Sequence, residues 1–183
     1  MNQKALLLDR DGVINIDHGY LYKPEDVQFV DGIFDLCRQA IINGYLIFVI
    51  TNQAGIGRGY YSVADFDYLT KWISKRFLDQ GILISKVYYS PFHPVHGLGE
   101  YKKDDESRKP RPGMIHQAVN EFGLDLSESV LIGDKYTDIE AGQSAGVRTN
   151  ILYLGNSEGR TEARLDCHII STLNEAKFFL QGK

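Results

Sequence analysis

The chain has 183 residues and a mass of 20.7 kDa, a length that fits one domain. Hydrophobic residues make up 43% and charged residues 24%, a balance that excludes a disordered or fibrous chain. A net charge of −4 without a basic block disfavours nucleic acid or an anionic membrane as a partner, and two cysteines are too few for a disulfide framework. The first residues lack a signal-peptide pattern, and the longest apolar run, 45–50, is too short to span a membrane. We therefore expect a cytoplasmic monomer with a single domain over 1–183.

Short apolar runs alternate along the chain with segments of helical periodicity. In chain order, strands are predicted at 5–8, 45–50, 87–89, 130–132, 151–154 and 168–170, and helices at 33–42, from Ser62 through Phe77, at 112–122, after Asp134 through Ala145, and at 172–180. A long loop rich in proline, glycine and charge covers 90–112. The alternation predicts a Rossmann-like, doubly wound α/β fold: a mostly parallel sheet with helices on both faces and no large cap domain.

Acidic side chains follow the first predicted strand at its carboxyl end, the edge where open α/β sheets bind ligands. Asp9 and Asp11 are spaced so that both carboxylates project the same way from an extended segment. Two carboxylates this close must be neutralised by a cation or by a shared proton. An acidic turn without further function is the alternative interpretation.

Three further segments bring polar groups to the same edge. Thr51-Asn52-Gln53 ends the second strand, where its side chains either hold a phosphoryl oxygen or cap the next segment. Arg108-Lys109-Pro110-Arg111 precedes a helix start, which favours an anion there, although a solvated basic turn has the same pattern. Asp134 ends the fourth strand, with Asp138 four residues on, and a helix cap is the alternative role. Together these groups indicate a site for Mg²⁺ and a phosphate.

In their order and context, the segments resemble the motifs of the haloacid dehalogenase superfamily of phosphatases. Asp9-x-Asp11-Gly12 matches the first motif, Thr51 the second, Lys109 the third, and Gly133-Asp134-x-x-x-Asp138 the fourth. The stretches 17–20, 51–56, 108–114 and 133–135 narrow the resemblance to the D,D-heptose 1,7-bisphosphate phosphatases and their histidinol-phosphate phosphatase relatives. The resemblance implies a phosphatase that removes the 7-phosphate of a small phosphorylated sugar during synthesis of lipopolysaccharide precursors.

The resemblance also implies roles for individual residues. Asp9 would be the nucleophile that forms an aspartyl-phosphate, and Asp11 the general acid and base. Thr51 and Lys109 would be catalytic contacts to the phosphoryl oxygens. The residues expected to bind the rest of the substrate are Asp17, His18, Gly19, Tyr20, Asn52, Gln53, Ala54, Arg108 and Lys135.

Magnesium is the expected metal, and zinc is expected to be absent. By resemblance, Asp9, the backbone carbonyl of Asp11, and Asp134 would hold Mg²⁺, with Asp138 as a supporting acid. Relatives often carry a zinc clip in the loop after the third strand. The four corresponding positions here are Ser90, Phe92, Asp105 and Ser107, and none is a zinc-type ligand in place. His93 and His96 lie nearby and are interpreted as ordinary polar loop residues, although with Asp105 they offer three ligands in principle.

Other functions share part of this pattern. Histidinol phosphate or another small sugar phosphate is an alternative substrate for the same chemistry. A phospho-acceptor switch domain without enzymatic activity would need an acceptor aspartate after the third strand, where this chain has Ser90-Pro91. A nucleic-acid 3′-phosphatase is disfavoured because the chain lacks an extended basic groove.

Overall fold

The computed structural model describes residues 3–155 and 166–181, which form one sheet covered by helices on both faces. The strands are β1 (Lys4–Leu8), β2 (Tyr45–Asn52), β3 (Ile84–Ser90), β4 (Val130–Gly133), β5 (Thr149–Tyr153) and β6 (His168–Ile170). The helices are α1 (Ile33–Ile42), α2 (Ala54–Gly57), α3 (Val63–Asp79), α4 (Gly113–Phe122), α5 (Tyr136–Ala145) and α6 (Leu173–Ala176). Single 3₁₀ turns cover Pro24–Asp26, Gly99–Tyr101, Leu126–Glu128 and Lys177–Leu180.

All strand pairs are parallel, in the order β3-β2-β1-β4-β5-β6. The central strand β1 is buried on both faces, which explains why its sequence is a continuous apolar run. Leu6 and Leu8 pack in the core under α1, α3 and α6, whereas Ala5 and Leu7 pack in the core under α4 and α5. The predicted doubly wound fold is therefore confirmed.

Most predicted elements are present, with shifted ends. The sequence Ser62-Val63-Ala64-Asp65 is typical of a capping box, and the box is formed at the start of α3. Asp65 N–H donates to Ser62 Oγ at 3.1 Å, and Ser62 N–H donates to the Asp65 carboxylate at 2.8 Å. The predicted helix 172–180 instead forms the short α6 and the 3₁₀ turn Lys177–Leu180. The short helix α2 was not predicted, because two of its four residues are glycines and its helix propensity is low.

The strand order places the functional segments side by side. On either side of β1 the chain winds in opposite directions, so the carboxyl ends of β2, β1 and β4 border the crevice that such a reversal creates. Within the described residues, 3–155 and 166–181, no second sheet or helical cap covers this edge. None of the helices in those ranges combines the length and apolarity that a membrane crossing requires.

Candidate active site

Lys109 is the buried centre of the site. Its Nζ donates to Asp9 Oδ1 at 2.9 Å, to Asp138 Oδ1 at 2.6 Å and to the carbonyl of Ile50 at 2.7 Å. The side chain is only 3% exposed. Two carboxylates and a carbonyl therefore compensate an ammonium group that has lost its water. The contacts tie the segment before α4 to the ends of β1 and β2 and to the start of α5.

The carboxylates around Lys109 are in excess. Burial raises the pKa of Asp9 to about 7: the charge of Lys109 opposes the rise, and the neighbouring Asp138 and Asp134 add to it. Burial also raises the pKa of Asp134 to about 6, against the opposing charge of Lys135. The cluster holds more negative than positive charge, so it favours a further cation beside the carboxylates.

The same carboxylates have the donor chemistry for that cation. Asp9, Asp134 and Asp138 each offer one oxygen, and these three oxygens lie within 4.8 Å of one another. Asp134 Oδ1 is buried without a hydrogen-bond partner, as expected of an oxygen reserved for a metal. Asp138 is already engaged, because Oδ1 accepts from Lys109 and Oδ2 accepts from the Lys135 N–H at 3.0 Å. The residues therefore fit a hard cation held by Asp9 and Asp134, with Asp138 as a supporting acid.

Gly12 lets β1 and β4 bring their acids close together. Its φ is +95°, and a Cβ at this position would lie 2.3 Å from Asp134 Oδ2. Only glycine adopts this backbone conformation without strain while leaving the space for Asp134.

Asp11 is held by four donors. Arg10 binds it through two nitrogens, with Nε donating to Oδ1 at 3.1 Å and Nη2 donating to Oδ2 at 2.9 Å. Asn15 Nδ2 donates to Oδ1 and Gln53 Nε2 donates to Oδ2, each at 3.0 Å. The carboxylate is therefore fixed beside Asp9, although its own strand has already ended.

Asn52 holds the backbone of Lys109. Its Nδ2 donates to the Lys109 carbonyl and its Oδ1 accepts from the Lys109 N–H, both at 3.0 Å. Asn52 therefore helps to place Lys109. It also lines the cavity, and its contact with substrate stays a prediction.

A cavity of about 490 Å³ opens above these groups. The residues that line it are Asp9, Asp11, Asp17, Gly19, Tyr20, Thr51, Asn52, Gln53, Ala54, Gly55, Tyr61, Arg108, Lys109, Lys135, Thr137 and Asp138. At its rim Lys135 Nζ pairs with Asp17 at 3.1 Å, and Asp17 accepts from the Gly19 N–H at 2.9 Å. His18, predicted to bind substrate, is not among these lining residues, and its ring contacts Gln28 at 3.3 Å; its contact with substrate stays a prediction.

The loop 91–112 is ordered by hydrogen bonds and aromatic contacts. Ser107 Oγ bonds to Ser90 Oγ at 3.0 Å and donates to Asp105 at 2.7 Å, which ties the end of the loop to the end of β3. Asp105 also pairs with Lys103 at 2.8 Å, and despite the opposing effect of burial these contacts lower its pKa to about 2. The aromatic ring of Phe92 packs between Tyr101 at 5.9 Å and the Lys103 ammonium at 4.1 Å.

The two histidines of the loop are engaged locally. The rings of His93 and His96 lie 4.8 Å apart, and His93 Nδ1 accepts from the backbone N–H groups of Val95 and His96. Within 3–155 and 166–181, the acidic trio beside Lys109 is the one group of three residues with metal-ligand spacing. The histidines and Asp105 therefore do not assemble the three-ligand site that the sequence allowed in principle.

Comparison with known proteins identifies the family of this chain. A family model described as HAD-hydrolase-like matches residues 106–176. The D-glycero-alpha-D-manno-heptose-1,7-bisphosphate 7-phosphatase of Burkholderia mallei is 51% identical over 160 residues, which cover 87% of this chain and 85% of that protein. The chain belongs to the heptose-bisphosphate phosphatase family of the haloacid dehalogenase superfamily.

Two further comparisons agree with this assignment. The D-glycero-beta-D-manno-heptose-1,7-bisphosphate 7-phosphatase of Vibrio cholerae is 44% identical to this phosphatase over 152 residues, covering 83% of this chain and 82% of that protein. The crystal structure of D,D-heptose 1,7-bisphosphate phosphatase from B. bronchiseptica, complexed with magnesium and phosphate, has a TM-score of 0.82. It is 23% identical, covers 97% of this chain and 98% of that chain, and shows that the two share a fold. The predicted family, fold and enzyme class are thereby confirmed.

The structure also shows residues of the phosphatase that the sequence did not single out. Arg10 and Asn15 donate hydrogen bonds to Asp11. Tyr61, in the lining of the cavity, donates to Gln53 Oε1 at 2.6 Å. The sequence does indicate a role for Arg10, because an arginine between two aspartates can pair with their carboxylates. No pattern in the sequence indicates Tyr61, because its hydroxyl reaches the site through the loop geometry that follows α2.

Proposed function

We propose that this phosphatase removes the 7-phosphate of D-glycero-D-manno-heptose 1,7-bisphosphate through an aspartyl-phosphate on Asp9. The observation that carries the proposal is the buried cluster of Asp9, Lys109 and Asp134 with Asp11 two residues from the nucleophile. It combines a carboxylate nucleophile, a fixed cation and a second carboxyl group at one edge of the cavity. The identity to heptose-bisphosphate phosphatases supports the choice of substrate.

The reaction divides into two displacements at phosphorus. In the first, an Asp9 oxygen forms a bond to phosphorus while the bond to the sugar oxygen breaks, and Asp11 gives a proton to that oxygen. In the second, Asp11 takes a proton from water as the water oxygen attacks phosphorus, and the bond to Asp9 breaks to release inorganic phosphate. Lys109 stabilises the charge on the transferring group in both steps. To do so, its ammonium group gives up one of its present hydrogen bonds and donates to a phosphoryl oxygen instead.

Mg²⁺ fits the acidic side of the cluster. Asp9 and Asp134, with the backbone carbonyl of Asp11, would hold it, and Asp138 would keep Lys109 and the start of α5 in place. When bound, the ion supplies positive charge that lets a phosphate dianion approach the carboxylates.

The rim of the cavity suits a substrate with a second anionic group. Arg108 and Lys135 both line the cavity, and Asp17 and the Gly19 backbone add polar partners for hydroxyl groups. A sugar that carries two phosphates places one at the reacting centre and the other near these cations.

A phosphate-release panel with Mg²⁺ tests the substrate. It compares both anomers of heptose 1,7-bisphosphate with fructose 1,6-bisphosphate and histidinol phosphate. We expect the highest kcat/KM for a heptose anomer, with the 1-phosphate retained in the product by phosphorus NMR. A highest value for histidinol phosphate would overturn the choice of substrate.

Two variants test the covalent step. Asp9→Asn should abolish turnover, whereas Asp11→Asn should lower it by roughly 10²–10⁴-fold and leave the nucleophile in place. Loading Asp11→Asn with 4-nitrophenyl phosphate, which needs no acid, should allow a phosphoryl group to be found on the peptide that contains Asp9 after acid quench. Wild-type turnover by Asp9→Asn would refute the mechanism.

A further inference from the structure

Gln53 lies at the carboxyl end of β2 with its amide surrounded by protein. Nε2 donates to Asp11 Oδ2 at 3.0 Å and to Thr51 Oγ1 at 2.8 Å, and Oε1 accepts from the Tyr61 hydroxyl at 2.6 Å. The residue is 1% exposed. Each polar atom of the amide thus has a protein partner, and both N–H groups are directed to residues of the reacting centre.

The partners fix which way the amide faces. Asp11 Oδ2 also accepts from Arg10 Nη2, so this oxygen is an acceptor and requires the Nε2 side of Gln53. A flipped amide would place Oε1 against Asp11 Oδ2 and lose that hydrogen bond, because neither oxygen donates. In the orientation that Asp11 sets, Oε1 faces the buried Tyr61 hydroxyl and accepts from it. Tyr61 therefore holds the amide in the orientation that Asp11 sets.

This orientation determines what Thr51 can do. A hydroxyl has one proton and two lone pairs, and Gln53 occupies one lone pair. Because Nε2 cannot accept, the Thr51 proton must go to another partner. Thr51 lines the cavity, where a phosphoryl oxygen is such a partner. Gln53 thereby prepares Thr51 as a donor toward the substrate.

We propose that Gln53 is a positioning residue that aligns the hydroxyl of Thr51 with the carboxyl group of Asp11 for phosphoryl transfer. Its amide is held in place by the hydroxyl of Tyr61. This assignment rests on the proposed function, since it needs Asp11 to act as the acid. It replaces the expectation that Gln53 binds the distal part of the substrate. The two groups that Gln53 joins act on different oxygen atoms bound to phosphorus, Thr51 on a non-bridging oxygen and Asp11 on the leaving oxygen.

The test compares leaving groups in two variants. Gln53→Met keeps the length of the side chain but cannot donate a hydrogen bond. Tyr61→Phe keeps the Gln53 amide but removes the hydroxyl that donates to Oε1. Tyr68→Phe is the matched control, because Tyr68 is an exposed tyrosine of α3. Each protein is assayed for kcat and KM with heptose 1,7-bisphosphate, a poor leaving group, and with 4-nitrophenyl phosphate, which needs little acid catalysis.

For Gln53→Met we expect kcat for the sugar phosphate to fall by about 10–100-fold, part of the roughly 10²–10⁴-fold that acid–base catalysis supplies. The KM should stay within about threefold, and the loss for 4-nitrophenyl phosphate should be at least about fivefold smaller. Tyr61→Phe should lose about 3–10-fold in the same pattern, and Tyr68→Phe should match the wild type.

Two outcomes overturn the proposal. A raised KM with unchanged kcat would show that Gln53 binds substrate, and equal losses with both leaving groups would show that it does not act through Asp11. If Gln53→Met does not fold, judged by its melting temperature, Tyr61→Phe decides alone. If the wild type does not hydrolyse heptose bisphosphate but hydrolyses another alkyl phosphate, the proposed choice of substrate is wrong. The same comparison made with that ester still tests the role of Gln53.

Discussion

Replacing Gly12 with alanine probes how closely β1 and β4 must approach to build the metal side of the site. The new Cβ would lie 2.3 Å from Asp134 Oδ2 and 2.9 Å from Asp134 Cβ. Both distances are far below van der Waals contact, so the Asp134 side chain must move. Asp134 is also the residue whose buried Oδ1 has no hydrogen-bond partner, and the movement therefore displaces a proposed metal ligand.

Two separate costs follow from this substitution. Alanine at a φ of +95° costs about 1–2 kcal/mol, which in a chain of this size lowers the melting temperature by roughly 2–8 °C. Displacing Asp134 acts on metal affinity, where the loss of a supporting contact alone is worth about 10–100-fold. We expect the Mg²⁺ concentration for half-maximal phosphate release to rise at least about tenfold, with partial recovery at saturating Mg²⁺.

A second glycine separates the two costs. Gly146, after α5, has a φ of +89°, and nothing lies within 4 Å of its would-be Cβ. Gly146→Ala should therefore show a similar fall in melting temperature and an unchanged Mg²⁺ requirement. The assay is phosphate release over a Mg²⁺ titration, paired with thermal melts of both variants. A wild-type Mg²⁺ dependence in Gly12→Ala would refute the placement of Asp134 as a ligand.

Three more predictions follow from the site and its loop. Loss of Lys109 should lower kcat, whereas loss of Arg108 should mainly raise KM for bisphosphates; equal effects on every substrate in steady-state assays would contradict that division. Protein purified without added metal should contain no stoichiometric zinc by elemental analysis, and chelation should remove activity reversibly with Mg²⁺ while leaving the melting temperature nearly unchanged; one zinc per chain would contradict this. Because the folded-state pKa values of Asp9 and Asp134, about 7 and about 6, lie above the ordinary value of 3.8, the metal-free protein should lose stability as the pH rises through 6–7. Since protons compete with the ion, Mg²⁺ should bind more tightly at pH 8 than at pH 5.5 by titration calorimetry, and tighter binding at pH 5.5 would count against these carboxylates as ligands.

The parts that sequence predicted well are those set by local pattern. The continuous apolar run of β1 and the capping box before α3 each depend on neighbouring residues, and the structure confirms them. The convergence of Asp9, Thr51 and Asp134 also followed from sequence, because the carboxyl ends of parallel strands meet at one edge.

The parts that sequence did not predict depend on contacts between distant segments. The hydrogen bonds between Asn52 and the Lys109 backbone join positions 57 residues apart, and no local pattern distinguishes them from contacts to substrate. His18 shares a polar turn with Asp17, and no local pattern shows its contact with Gln28. The predicted helix 172–180 divides into α6 and a 3₁₀ turn, which bury Leu173, Ala176 and Leu180.

The way the loop 91–112 is ordered has a pharmacological consequence. Its fastening to β3 consists of two hydroxyls, Ser90 and Ser107, with a carboxylate and a lysine ammonium, Asp105 and Lys103. Neither cysteine of the chain lies in this loop, since they are Cys37 and Cys167. Thiol-reactive electrophiles consequently have no cysteine to modify in this wall of the cavity, and inhibitors directed at it must compete through shape and charge beside Arg108.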